Sequence, residues 1–442
     1  MSETDEEINP KIDSSELGTK ELVELILNFE KELGLLDKRS ANYLAVWAAH
    51  RMDLYYRIGL QKKVFGKPHD DKNTISSFGK LIRTIKYCFK SPFASLKRCD
   101  LILIPHKRKT DFNGEKTDLN SKFVFDQLIT ENDRTEIWDL PSNNRHLIGG
   151  KGVYYLDLIS VFGKIGSFIG HFFISKRIKR VSLEIEEYLE VSMSLANYLA
   201  KLSMQFRFKK FLYSALLKIK KPNSIYVVIA YGYTALISAA KELGIKTIEL
   251  QHGVISPYHL GYHYPDSKPS RYFPDELWVW HSMWKENTIY PIEKEKIVVN
   301  KNNHLELFRN TCSLIKEPNS VLIISQGTIG KELSEFIMKH ENDFSKYKVY
   351  YKLHPGEFRN SESYSKLSLL LKNENFLLIK DELSVYELFS RVSKVVGVYS
   401  TALYEAKYFE KEVFIVPITG ADNMEDFLKQ EHVHNFKKDL VA

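Results

Sequence analysis

The sequence predicts an α/β protein of two Rossmann-like domains facing each other across a cleft, behind a helical N-terminal extension. Three observations predict it. From residue 225 onward, short β-branched runs alternate with segments of helical period, the mark of parallel sheets with right-handed crossovers. The alternation falls into two sets, separated by residues 302–318, which lack a strong period and read as a linker. Three apolar runs end in polar stops: Lys246–Leu250 at Gln251-His252-Gly253, residues 348–353 at His354-Pro355-Gly356, and residues 394–398 at Tyr399-Ser400-Thr401. Ligands of open α/β sheets bind beyond the carboxyl ends of the strands, so these stops are expected to converge on one cleft.

The elements follow in order. Residues 1–18 are polar and acidic and are expected to fray. Helical period begins near Thr19, with Leu22, Leu25, Ile26, Phe29 and Leu33 on one stripe. A second helix is expected from Ser40, its N-cap, through Trp47, Arg51, Leu54 and Tyr55. The first strand signal is 100–104, followed by a polar loop from His106 to Gly114, and residues 152–222 read as helical and partly basic. Next come strand 225–230, helix 234–243 closed by Gly244, and strands 246–250, 276–280 and 296–299. After the linker, strands 321–325, 348–353, 376–379, 394–398 and 413–416 alternate with helices 331–340, 363–371, 385–393 and 401–409. The expected domains are 1–98, 99–305 and 306–442.

A chain of 442 residues is too long for one comfortable core and fits two domains with an extension. Hydrophobic content of 44% and charged content of 27% suit a soluble globular protein. The aromatic share of 13% suits sugar-stacking surfaces, and a large core accounts for it nearly as well. Cys88, Cys99 and Cys312 have no metal-like spacing and form no even disulfide set, which favours a reducing cytosol. Met1 to Glu7 is acidic, unlike a signal peptide, and the longest apolar stretch, 154–174, is interrupted by Asp157, Lys164 and His171. The net charge of +7 is uneven: residues 73–98 and 201–221 contain no acid. Their basic and aromatic character predicts docking on an anionic inner leaflet, with Lys209, Lys210, Lys218 and Lys220 as contacts. Core-packing helices with solvated lysines are an equal reading.

Several residues are placed to carry chemistry. Pro355 stops a strand and fixes the direction of His354, which is then set to donate to a phosphate oxygen. Ser400 and Thr401 open a helix, whose first turn offers free N–H groups and partial positive charge; both are also ordinary capping residues. Glu405, one turn further, is a candidate for ribose hydroxyls, and Asp381-Glu382 for a base or ribose. In Ser325-Gln326-Gly327-Thr328, Gln326 and Gly327 let the backbone approach a phosphate. His252, neutral near pH 7 with an ordinary pKa of about 6.5, is the candidate general base. Asp111 is its rival, with Asp118 and Asp126 behind it. His259 and His263 add to His252 without metal-site spacing, and no Asp-x-Asp pair stands at a strand end, so no metal is expected.

Residues 225–420, through Tyr351-Lys352-Leu353-His354-Pro355 and Tyr399-Ser400-Thr401-Ala402-Leu403-Tyr404-Glu405-Ala406, resemble the nucleotide-binding half of bacterial GT-B glycosyltransferases. The likeness is to the group with an HP motif and a serine motif: sialyl- and Kdo-type transferases using CMP-sugars, and CDP-glycerol glycerophosphotransferases. It implies that His354 and Ser400 or Thr401 contact the nucleotide phosphate. The acidic base motif of the sialyltransferases is missing, and Gln251-His252-Gly253 looks more like the histidine-glycine motif of the glycerophosphotransferases. The resemblance implies a metal-independent enzyme without cofactor, moving a sugar from a nucleotide-sugar donor, CMP-linked by preference, to a capsule or O-antigen glycan or a lipid-linked glycan acceptor. No nucleic-acid partner is expected, and the enzyme would sit in the cytoplasm or on the inner face of the membrane. A polyol-phosphate transferase is the second expectation, and a non-catalytic polysaccharide-assembly protein the third.

Overall fold

The computed structural model describes residues 18–36, 44–64, 77–142, 144–265, 271–301, 303–311, 317, 319–327, 329–358 and 360–436. Four helices come first: α1 (Thr19–Glu32), α2 (Leu44–Ala49), α3 (Arg51–Gln61) and α4 (Ser77–Tyr87). Strand β1 (Leu101–Ile104) leads into a hairpin of β2 (Thr110–Phe112) and β3 (Glu115–Thr117), then α5 (Leu119–Glu131), β4 (Thr135–Asp139) and β5 (Val153–Tyr155). Helices α6 (Asp157–Gly170), α7 (Lys176–Tyr188) and α8 (Leu195–Lys220) intervene before β6 (Ser224–Val228), α9 (Thr234–Glu242), β7 (Lys246–Leu250), β8 (Glu276–Val279) and β9 (Ile297–Val299). Helix α10 (His304–Thr311) crosses to the second half. There β10 (Ser320–Ile324), α11 (Gly330–Lys339), β11 (Lys348–Lys352), α12 (Ser365–Leu370) and β12 (Phe376–Ile379) are followed by α13 (Val385–Arg391), β13 (Lys394–Gly397), α14 (Thr401–Tyr408), β14 (Glu412–Ile415) and β15 (Val433–Asn435).

Both large sheets are parallel and doubly wound. The first runs β5-β4-β1-β6-β7-β8-β9 and the second β12-β11-β10-β13-β14-β15. In each, the chain winds outward on one side and then returns to the centre. The order reverses between β1 and β6, and again between β10 and β13, and such a switch point opens a crevice at the carboxyl edge. The expected two Rossmann-like domains are present. Their central strands are buried along their whole length, which is why Leu101–Ile104 and Ser320–Ile324 read as continuous apolar runs.

An apolar cluster joins the halves, with Ile255, Trp284 and Leu305 packing together with Tyr404, Phe389 and Phe427. The Trp284 and Tyr404 rings lie 5.1 Å apart, and Phe308 of α10 stacks on Tyr386 at 4.3 Å. The N-terminal helices share a core with α7 and α8, through Leu22, Ile26, Phe29, Leu54 and Ile58 against Ile185, Leu189, Leu195 and Leu202. Helix α1 also reaches the second half, where Lys20 pairs with Glu425 at 3.1 Å.

Helices α6 and α8 approach closely because α6 presents glycines to α8. A Cβ on Gly166 would lie 2.8 Å from the Met204 carbonyl oxygen, and one on Gly170 2.5 Å from that of Ala200. Gly163 leaves a notch for the Lys209 stem, whose Cε would be 2.6 Å from an added Cβ.

The structure corrects several sequence expectations. The second helix is broken at His50 (φ −123°, ψ 21°), and the break brings Arg51 into a buried pair with Glu30. Ser40, its expected cap, lies outside the described residues. The linker contains the short helix α10, which buries His304 and Leu305 at the interface and is too short to give a period. The hairpin, β4, β5 and β15 were missed because three to five residues give little pattern of their own.

The basic stretch 201–221 does not present its four expected lysine contacts on one surface, because α8 packs against α6, α7 and α9. Lys220 is fully buried and pairs with Glu136 at 2.6 Å, while Lys210 pairs with Glu242 at 2.6 Å. Lys209 lines an internal cavity, which leaves Lys218 as the exposed member of the four. Among the described residues, no helix is long and apolar enough to cross a membrane.

Candidate active site

The first switch point is built from a pinned loop. Asp118 caps α5 by accepting from the Asn120 N–H at 3.2 Å, and also accepts the His106 N–H at 2.8 Å. Buried Lys109 pairs with Asp139 at the end of β4 (2.9 Å) and donates to the His106 carbonyl. His106 is thereby fixed, its ring stacked with that of His252 at 6.1 Å and 25°. Between these anchors Arg108 is exposed.

The Gln251 side chain is buried beneath its loop, donating to the Gly253 carbonyl and accepting from the Trp280 N–H, both at 2.9 Å. His252 then stands between two tyrosines, with Nδ1 3.3 Å from the Tyr262 hydroxyl and Nε2 3.4 Å from that of Tyr231. Tyr262 donates its own proton to Glu249 at 2.7 Å, and Glu249 also accepts the Ala230 N–H at 3.0 Å. The proton directions follow. With its hydrogen committed to Glu249, Tyr262 accepts from His252 Nδ1–H, which leaves the Nε2 lone pair facing Tyr231. Burial, then His259, His106 and Arg108, push the His252 imidazolium down to about 3. Burial pushes the Glu249 carboxyl up to about 7, opposed by its Tyr262 and Ala230 hydrogen bonds. Glu249, rather than His252, is therefore the member of this chain that titrates near neutrality.

The N-terminal helices hold this arrangement. Arg51 pairs with Glu30 at 2.5 Å and donates to the carbonyls of Leu260 (2.6 Å) and His263 (2.5 Å), on either side of Tyr262. His259 Nδ1 accepts the Gly261 N–H at 3.1 Å, and its ring packs against Tyr262 at 4.8 Å.

Across the cleft, Gln326 follows β10 and accepts the Tyr399 N–H at 3.2 Å, bridging the second switch point. His354 caps a short turn through Nδ1, which accepts the Gly356 N–H at 3.0 Å, so a neutral ring carries its proton on Nε2. Its own N–H donates to buried Glu357 at 2.9 Å, whose other oxygen accepts from Ser325 at 2.8 Å. Gly327 leaves room beside the imidazole, since an added Cβ would sit 3.5 Å from Nδ1. Ser400 uses its hydroxyl to cap α14, accepting from Ala402 N–H at 3.3 Å. Thr401 faces the first half, its Oγ1 3.9 Å from where a Cβ of Gly253 would be. Glu405 is buried beside Tyr386, and burial pushes its carboxyl up to about 7, opposed by the Tyr386 hydrogen bond.

The two edges share one electrostatic field. His354 is held below the ordinary histidine range by its crowded surroundings and then by Arg108, which also acts on His252. Across the cleft, Thr401 meets the Gly253 stop, and His354 stands beside Gly327. Asp111 instead lies in β2 of the hairpin, accepting from Gly114 N–H at 3.1 Å and pairing with Lys116 at 3.1 Å. Asp126 pairs with Lys122 on α5, and Glu382 accepts the Lys380 N–H at 2.7 Å. His263 faces Thr288 at 2.8 Å. Thr328 lies outside the described residues. Among those described, no three His, Cys, Asp or Glu side chains gather as a metal set.

Sequence reasoning missed Arg108, His106, Tyr231, Tyr262 and Glu249 as site residues. The loop after the first strand held the signal for the first two. Glu249 carried a fainter one, a carboxylate inside an otherwise apolar central strand.

No protein-family model and no curated protein matches the chain. Among solved structures, the UDP-GlcNAc 2-epimerase of Neisseria meningitidis bound to UDP-GlcNAc is 13% identical, with a TM-score of 0.45, covering 78% of this chain and 88% of that one. MurG of Acinetobacter baumannii is 11% identical with a TM-score of 0.45, covering 78% and 87%. The UDP-GlcNAc 2-epimerase of Methanocaldococcus jannaschii is 11% identical with a TM-score of 0.44, covering 78% and 89%.

Proposed function

We propose that the chain is a GT-B glycosyltransferase that moves a sugar from a nucleotide-activated donor to a hydroxyl of a cell-surface glycan. The observation that carries this reading is the meeting of two strand-end stops across the cleft, where the Thr401 Oγ1 lies 3.9 Å from the position a Cβ of Gly253, next to His252, would take. A donor phosphate in the cleft is assigned the Arg108 guanidinium, the His354 Nε2–H and the Thr401 hydroxyl as its hydrogen-bond donors. Such donors stabilise charge that develops on a leaving phosphate. Glu405 is assigned the nucleotide ribose, and the resemblance favours a CMP-linked donor.

In the transfer, the acceptor oxygen bonds to the anomeric carbon as the bond from that carbon to the donor phosphate oxygen breaks. The acceptor proton passes to His252 Nε2, displacing the Tyr231 hydroxyl. His252 Nδ1–H moves to Tyr262, and the Tyr262 proton moves to Glu249. The nucleotide phosphate leaves with the electron pair of the broken bond. Cationic and neutral donors in the phosphate role support a metal-independent reaction. Complete loss of activity in EDTA, restored by Mg²⁺ or Mn²⁺, would overturn that assignment.

The test is a donor screen with CMP-, UDP-, GDP- and CDP-linked compounds, following nucleotide release with and without acceptor glycans. Release from one donor class, lost in Arg108→Ala, supports the reading. A wild-type chain that binds glycan and releases no nucleotide from any donor would make it a non-catalytic assembly protein.

A membrane-side location is also proposed, on a different surface from the basic stretch of α8. Ile82 and Ile85 of α4 and Phe168, Phe172 and Phe173 at the end of α6 are each more than half exposed, with α4 packed on α6. Apolar side chains beside Lys86, Lys90 and Lys164 suit an anionic bilayer surface. Cosedimentation with phosphatidylglycerol vesicles, weakened by salt and by Phe168→Ser with Phe172→Ser, is expected. Equal partitioning onto neutral vesicles would count against it.

A further inference from the structure

The first half contains a cavity of about 420 Å³, walled by α2, α3, α6 and α8 and by the segments that follow β6 and β7. That is the size of a small-molecule site, large enough for one sugar ring and its substituents. His50, at the break between α2 and α3, lines it. The His50 side chain is only 10% exposed; Nδ1 is held by Asp53 at 2.8 Å, and Nε2 is buried without a hydrogen-bond partner. A buried polar nitrogen left unpaired is destabilising, so a ligand hydroxyl at this position would remove a penalty.

Lys209 enters the same cavity from α8, its stem lodged in the Gly163 notch. Burial lowers its pKa, and Asp53 opposes that effect. Phe206, Tyr56 and Tyr272 supply ring faces on the walls, the surfaces on which a sugar's C–H face packs. Tyr231 and Glu249 are walls of the cavity and also members of the hydrogen-bonded chain around His252.

We infer that this cavity is a binding site for one sugar residue bearing a negatively charged group, with a hydroxyl on His50 Nε2 and the anion on Lys209. The inference rests on the transferase reading only for the name acceptor; the site itself is defined by His50, Lys209 and the aromatic walls. It also gives the N-terminal helices a role in ligand choice, because His50 and Tyr56 come from them.

The test uses the full chain and two probes, methyl β-D-glucuronide and methyl β-D-glucoside, with binding followed by saturation-transfer NMR and calorimetry. The glucuronide is expected to bind more tightly. Lys209→Met should reduce it to the level of the glucoside, a loss of about tenfold or more, as for a charge-assisted hydrogen bond. His50→Phe should weaken both probes. Ala48→Phe, which fills the cavity from α2, should abolish both and guards against a misfolded His50 variant. Glucuronide binding that is absent, or unchanged in Lys209→Met and Ala48→Phe, would overturn the site. Nucleotide release without acceptor is measured on the same samples. If it is absent while the probes bind as expected, the transferase reading fails and the cavity stands.

Discussion

The Tyr231 hydroxyl lies 3.4 Å from His252 Nε2, while the same side chain forms part of the wall of the cavity between the N-terminal helices and α8. This contact couples an enclosed space in the first half to the cleft between the halves.

His354→Ala and Arg108→Ala should each lower turnover on the order of 10²–10³-fold while leaving the chain folded, because each removes a donor aimed at developing charge. Rates with the activated donor and circular dichroism on the same samples check this. Near-normal turnover in a folded His354→Ala chain would remove the phosphate role from that residue.

His252→Ala should depress transfer more than donor binding, and Asp111→Ala should leave both near normal because Asp111 is engaged in the hairpin turn. Single-turnover transfer and donor affinity are measured separately. Abolition of transfer by Asp111→Ala alone would reassign the base.

Glu249 gives a pH signature in stability. Its folded pKa of about 7 lies above its ordinary 4.5, so the native chain binds more protons than the unfolded chain between those values. The contribution of Glu249 is therefore present below about pH 4.5 and lost as pH rises to about 7, a change of about 3 kcal/mol. Glu249→Gln removes it. Relative to wild type, the variant should gain stability steadily from pH 4.5 to 7 and hold a constant offset above that. Urea titrations of both chains at pH 5, 6, 7 and 8 measure the difference; a difference independent of pH would contradict the burial-raised carboxyl.

Arg51→Met should cost about 3–5 kcal/mol, because it leaves Glu30 buried without its ion partner and frees the carbonyls of Leu260 and His263. Adding Glu30→Gln should recover part of the loss, since the unpaired charge is removed. Denaturant midpoints of the two single variants and the double variant give the coupling.

Gly170→Ala should destabilise by about 1–3 kcal/mol, because its Cβ meets the Ala200 carbonyl oxygen at 2.5 Å and a packed helix backbone cannot move aside cheaply. Phe168→Ala, on the exposed face of the same helix, is the control and should leave the midpoint nearly unchanged.

The sequence by itself determined the class of fold and the edge on which the chemistry sits. A strand such as Leu101–Ile104 falls at the residues its apolar run marks, because a central parallel strand is buried on both faces and reads as a continuous apolar run. A strand end is local too, so His252, His354 and Thr401 were legible as stops, as was the hydroxyl cap at Ser400. Tertiary structure decided the rest. Whether Lys220 meets lipid or Glu136, and whether Asp111 faces a substrate or its own hairpin turn, depends on neighbours far away in sequence or on turns with no period. Glu249 and His50 acquired meaning only when packing set them against Tyr262 and a cavity of the first half. Charge and burial act through space, and a linear pattern carries only the distances along the chain.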